Sequence, residues 1–135
     1  MITLEINNQT KNRVYRSRLE KVAKILSKEL KIKKKYNVSV GFVSQTRMKE
    51  LNRKFRKKDR VTDVLSFAGD NDSLGEIIIC FIQAKKQAKE FSHTYHKEIQ
   101  FLLIHGLLHL LGYTHKIEKN RKKMEMLQHK IMKKL

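Results

Sequence analysis

Three histidines in one short stretch are the residues best placed to do chemistry. The stretch reads His105-Gly106-Leu107-Leu108-His109-Leu110-Leu111-Gly112-Tyr113-Thr114-His115. Side chains four apart in a helix stack on one face, so His105 and His109 can share one ion. Gly112 stands where that helix should stop, because glycine accepts the left-handed conformation of a helix C-terminus. A chain that turns back there brings His115 toward the same ion. Three imidazoles and one position left for water make the donor set of a catalytic zinc site, not a structural one. The metal would lower the pKa of that water toward about 7. One histidine on an apolar helix is usually a satisfied core residue, and two at this spacing can be coincidence. A third just past a glycine stop, in a chain with six histidines, argues for the metal.

The spacing matches the H-E-x-x-H-x-x-G-x-x-H pattern of metzincin proteases, except that Gly106 stands where their glutamate does. That glutamate is the general base of peptide hydrolysis, and glycine cannot replace it. The substrate expected is one that leans on metal and cationic charge stabilisation. Phosphodiester cleavage is such a reaction, because negative charge builds on the phosphoryl oxygens. A second constellation, residues 51–67, carries Arg53, Lys54, Arg56, Lys57, Lys58 and Arg60 beside an uncharged β-rich run. Arg56 is suited to clamping a phosphate bidentately, which lysine does less well. On composition alone, a solvated basic loop explains the same residues.

These groups must be positioned by the elements that hydrophobic periodicity predicts. Ile2, Leu4 and Ile6 alternate with polar residues as a strand. Leu19, Val22, Ala23, Leu26 and Leu30 mark an amphipathic helix over about 14–30. A second strand runs from Tyr36 to Val43. Ser44 is the N-cap of a short helix carrying Met48, Leu51 and Phe55. Val64 to Ala68 is a short β run, Asp70 to Ser73 a turn, and Glu76 to Ile82 an apolar, central strand. A helical connection begins at Lys85. A core helix follows from Tyr95 to about Leu111, and a final amphipathic helix carries Ile117, Met124, Leu127 and Ile131. The order predicts an α+β fold with α/β character in one domain over 1–135. It is a small mixed sheet of about four strands under about five helices, with the metal site on the core helix and the turn after it.

Net charge is +18, mostly from lysine, which favours polyanionic partners without proving one. The single cysteine, Cys80, closes no disulfide and reads as buried in a reducing compartment. Residues 1–15 hold no apolar run of signal-peptide length, and the run 99–111 is too short for a bilayer, so a cytoplasmic protein with no membrane role is expected. Glu98, about 10 Å along the helix from His105, is read as serving the helix dipole rather than the metal. His93 and His96 are read as exposed residues ahead of the helix, and His129 as a surface residue. Asp63 and Ser66 either line the cleft or serve local turn hydrogen bonds.

The tail block HGLLHLLGYTH resembles the H-G-x-L-H-L-x-G-Y-D-H signature of the YbeY family of metal-dependent endoribonucleases. The middle block LNRKFRKKDRVTDVLSFA resembles that family's L-N-x-x-[FY]-R-x-x-D-x-P-T-D-V-L-S-F-P, and Gly75-Glu76-Ile77-Ile78-Ile79 resembles its G-[DE]-I-x-I block. The blocks fall in the family's order and span essentially the whole chain. The resemblance implies one Zn2+ per chain on His105, His109 and His115, with Arg56 and His105 catalytic. It implies that Arg56 binds the scissile phosphate, and Ser66 is a further substrate-binding candidate. It also implies single-strand-specific cleavage in maturation of the small-subunit ribosomal RNA 3′ end, ribosome quality control, and the ribosome as partner. Thr114 replaces the family's aspartate, offering a neutral hydroxyl to a zinc histidine where a carboxylate would stand, which predicts weaker metal affinity. Val61 and Ala68 replace two prolines, which concerns loop rigidity. Two rivals use the same histidines. One is a zinc hydrolase of a peptide or small ester, indifferent to Arg56 and to salt. The other is a non-catalytic ribosome assembly factor with structural zinc, in which His109→Ala spares ribosome association.

Overall fold

Apolar residues put a buried row on the same face of each of three parallel strands, alternating with polar residues on the first and continuous on the last, and those rows set the architecture. The structure is a computed structural model and describes residues 1–58, 60–113 and 117–135. In chain order the elements are β1 (Ile2–Asn8), α1 (Arg16–Glu29), β2 (Tyr36–Val43), α2 (Gln45–Arg56), β3 (Val64–Ala68), β4 (Ser73–Cys80), α3 (Phe81–Glu90), α4 (Tyr95–Leu110) and α5 (Glu118–Lys133). The sheet order is β1-β2-β4-β3, with β1, β2 and β4 parallel and β3 antiparallel to β4 at one edge. The expected α+β fold, a four-stranded mixed sheet with five helices, is the one observed.

The register lines up Leu4 with Val38, Ile6 with Val40 and Ile77, and Phe42 with Ile79. These side chains form one core with Leu19, Val22 and Leu26 of α1 and Leu103, Ile104, Leu107 and Leu108 of α4. Each fully buried aliphatic side chain is worth about 1.5–3 kcal/mol of transfer free energy, so α4 is fixed firmly. On the opposite face Val43, Leu65, Ile78 and Cys80 pack under Met48 and Leu51 of α2 in a smaller cluster. Ser44 caps α2 as expected, its hydroxyl accepting from the Arg47 amide at 3.1 Å.

Two boundaries differ from the sequence expectation. The strand expected over 76–82 begins at Ser73, because it pairs back with Ala68 through Gly75. It ends at Cys80, and Phe81 opens α3 directly, four residues before the expected start. The continuous apolar run 77–82 hid this junction, since strand and helix share it without a polar break: Ile77 to Phe81 are buried, and Ile82 is exposed on α3. Among the described residues no helix is long and apolar enough to cross a membrane.

Candidate functional site

The site lies at the free edge of β3, between the C-terminal ends of α2 and α4. The strand's hydrogen-bond alternation explains how that edge is used. Cys80 donates its amide to the Asp63 carbonyl, and Gly69 donates to Leu74. Between these two points the pair Ser66–Ile77 falls in a non-hydrogen-bonded position, so the Ser66 amide and carbonyl point outward from the sheet. The Ser66 carbonyl accepts from the Arg56 guanidinium (Nη2) at 3.0 Å. That bond brings the last residue of α2 across to the strand. Arginine has five N–H donors, and this contact occupies one.

The histidines reach the same place from α4. The helix ends at Leu110, Gly112 has φ +102°, and the closing bonds are Gly112 N–H to His109 C=O and Tyr113 N–H to Leu108 C=O. The helix stop and left-handed glycine expected at Gly112 are observed, and the two bonds make the stop a Schellman arrangement. His105, half-buried, and His109, exposed, line one cleft of about 230 Å³ with Asn52, Arg56, Lys58, Arg60, Thr62, Val64, Leu65 and Ser66. Arg56, Ser66, His105 and His109 therefore converge. His115 and Thr114 lie outside the described residues, as does Asp59.

Charge around the cleft is one-sided. Arg56, Lys58 and Arg60 line it and no described lining residue is a carboxylate. His109 sits in the last turn of α4, where the partial negative charge of a helix C-terminus favours a cation. Two imidazole nitrogens at that end suit zinc as donors. Among the described residues no group of three or more His, Cys, Asp or Glu side chains gathers at one point. A larger hollow of about 510 Å³ lies on the other face of the sheet, above Glu5, Ser39 and Glu76 and bounded by Phe55 and Phe67, and neither histidine lines it.

Gly106 has a packing reason for being glycine. A Cβ there would stand 2.9–3.1 Å from three side-chain carbons of Ile77. The position that carries a glutamate in metzincins is pressed against the sheet here, and a side chain fits only if Ile77 or α4 gives way.

Asn52 is a residue that the sequence motifs did not assign. It is 3% exposed, donates its side-chain amide to the Arg60 carbonyl at 2.9 Å, and accepts the Lys58 amide on its own carbonyl at 3.3 Å. One residue thus ties the basic connection to α2. The available signal was a polar residue in the apolar stripe Met48, Leu51, Phe55.

Other expectations resolve locally. Asp63 serves hydrogen bonds, accepting from the Val64 amide at 2.8 Å and the Gln87 amide at 3.2 Å, and it is not in the cleft wall. Ser66 is in that wall. The reading of His93 and His96 as exposed residues ahead of the helix is corrected. His96 is in the first turn of α4 with its ring 3.8 Å from that of Tyr95, and both histidines are half-buried. Glu98 is 2% exposed and faces His93 at 3.4 Å. Burial raises its carboxyl pKa above the ordinary value and His93 opposes the rise. A short-range partner, not the helix dipole alone, accounts for it. Cys80 is buried, and burial pushes its thiol pKa up.

The comparisons with known proteins point to one family. The family profile described as Endoribonuclease YbeY matches residues 2–135. The Endoribonuclease YbeY of Ureaplasma urealyticum is 40% identical across 100% of this chain and 90% of its own length. That of Staphylococcus carnosus is 39% identical across 92% of this chain and 90% of its own. A solution structure of a Thermotoga maritima protein is similar with a TM-score of 0.69 and 36% identity, over 96% of this chain and 87% of that one. With matches of this extent and a four-stranded, five-helix fold to carry them, the chain belongs to the Endoribonuclease YbeY family.

Proposed function

We propose that this protein is a zinc-dependent, single-strand-specific endoribonuclease that matures the 3′ end of small-subunit ribosomal RNA and serves ribosome quality control in the cytoplasm. The observation that carries the reading is the convergence of Arg56, the outward edge of Ser66, His105 and His109 on one cationic cleft. His105, His109 and His115 would hold one Zn2+, whose chemistry is Lewis-acid stabilisation of charge on the phosphate oxygens. The chain's own groups do the remaining work. Arg56 is braced by Ser66 and offers its other N–H donors to the scissile phosphate. Lys58 and Arg60 neutralise adjoining phosphates. The attacking oxygen is water or the RNA 2′-hydroxyl, and no lining residue is a carboxylate base among those described.

The test combines metal analysis with cleavage of a single-stranded fragment of ribosomal RNA. Arg56→Ala should keep its metal and lose cleavage by about 10²–10³-fold, the usual effect of removing a charge-stabilising donor. His109→Ala should lose metal and cleavage together, and a chelator should reproduce that loss in the wild type. Unchanged RNA cleavage by His109→Ala would reject the proposal.

A further inference from the structure

We propose that Phe55, braced by Phe67, is a stacking platform for a nucleobase next to the phosphate bound at Arg56. The inference rests on the RNA reading above and adds to it a subsite with its own ligand chemistry, the π-face of an unpaired base.

Phe55 is 54% exposed although it continues the apolar stripe of α2. Its ring is not loose, because Phe67 holds it at 5.2 Å between centroids in an edge-to-face pair with an interplanar angle of 66°. Phe67 is tied to the cleft in turn, since the Arg56 guanidinium lies 5.9 Å over its ring while bonding to the Ser66 carbonyl. Phe55 and Arg56 are neighbours at the end of α2, and Phe67 and Ser66 are neighbours on β3. Side chains alternate across a strand, so the two phenylalanines sit on one side of the β3 edge and Ser66 faces the other. Arg56 bridges the two sides. A strand with a phosphate at Arg56 therefore passes an exposed, oriented aromatic ring as it leaves the cleft.

Charge points to the same ligand. Arg53, Lys54 and Arg56 surround Phe55 in sequence, and the Lys54 ammonium is 5.4 Å from its ring. Cations that track a phosphate backbone, interleaved with an exposed ring, are how single strands are held without reading sequence. Phe91 and Phe101, the other exposed phenylalanines, neither line the cleft nor adjoin a residue that does.

The test uses binding of short oligouridylates and oligoadenylates to the full chain. The protein has no tryptophan, so Phe55→Trp introduces a single indole reporter at the platform. Its emission should be quenched on titration with RNA, with affinity at least that of wild type. Phe55→Leu keeps an apolar contact with Phe67 but has no π-face, and it should bind roughly tenfold more weakly. That deficit should vanish with an abasic oligomer of the same length. Thermal unfolding checks that each variant is folded, and if Phe55→Leu is not, the indole titration decides alone. Wild-type affinity in Phe55→Leu, or indole emission unmoved at RNA saturation, overturns the platform while leaving the endoribonuclease intact. A wild type that neither binds nor cleaves RNA removes the RNA reading, and this inference with it.

Discussion

Gly106 sets the distance between α4 and the sheet, and with it the depth at which His105 and His109 stand in the cleft. Two effects compete when a methyl group is added there. Alanine improves helix propensity by about 1 kcal/mol over glycine. Overpacking against Ile77 costs about 1–3 kcal/mol. The nearest of the three carbons, at 2.9 Å, is the terminal Cδ1 of Ile77, which can give a little, so the cost sits near the middle of that range and exceeds the gain by about 1 kcal/mol. Gly106→Ala should therefore lower the melting temperature by roughly 3–5 °C, as followed by circular dichroism. It should also reduce cleavage, because the histidines move with the helix. A raised melting temperature would mean that the helix shifts freely and that the contact with Ile77 does not fix it.

At the scale of elements, much of the site was legible because its periods are simple. Four-residue spacing put His105 and His109 on one helix face, and Gly112 marked the stop that the structure shows. The basic end of α2 was legible as composition, and Arg56 as its phosphate-binding candidate. What periodicity does not contain is which elements meet at an edge. The bond from Arg56 to Ser66 depends on β3 being the outermost strand and on the pairing phase of Ser66, both set by the sheet as a whole. Asn52 was silent for a similar reason, since its partner Arg60 lies eight residues away in a connection without repeat. The burial of Glu98 against His93 depends on how the α3–α4 turn packs, which local propensity does not specify. Asn52 also yields a prediction for α2. Asn52→Leu fills similar volume but leaves the Arg60 carbonyl without its donor, at a cost of about 1–3 kcal/mol. The connection bearing Lys58 and Arg60 should loosen, raising KM for RNA several-fold while kcat changes less. A loss of stability with KM unchanged would make Asn52 a purely structural residue.

For the whole molecule the governing quantity is its +18 net charge. Binding of a single strand releases counterions, and affinity falls with salt with a slope of about −0.7 per phosphate contacted. A footprint of about five phosphates predicts roughly hundredfold weaker binding between about 50 and 200 mM salt. Fluorescence anisotropy of a labelled oligoribonucleotide measures this. A flat response would remove electrostatics from recognition and favour a small uncharged substrate. Burial and charge are separated in this fold. The apolar rows sit between the sheet and α1 and α4, while cations gather where α2 gives way to β3.

The outermost strand of a sheet is an open invitation to any other extended chain, because its unpaired amides and carbonyls can template a fifth strand. In this protein the Ser66 carbonyl on that margin is taken by Arg56. The guanidinium proposed to meet the phosphate thus also guards the margin against self-association. Shortening this side chain removes both functions at once, and a variant that clumps as concentration rises would mimic one that has merely lost its grip on RNA.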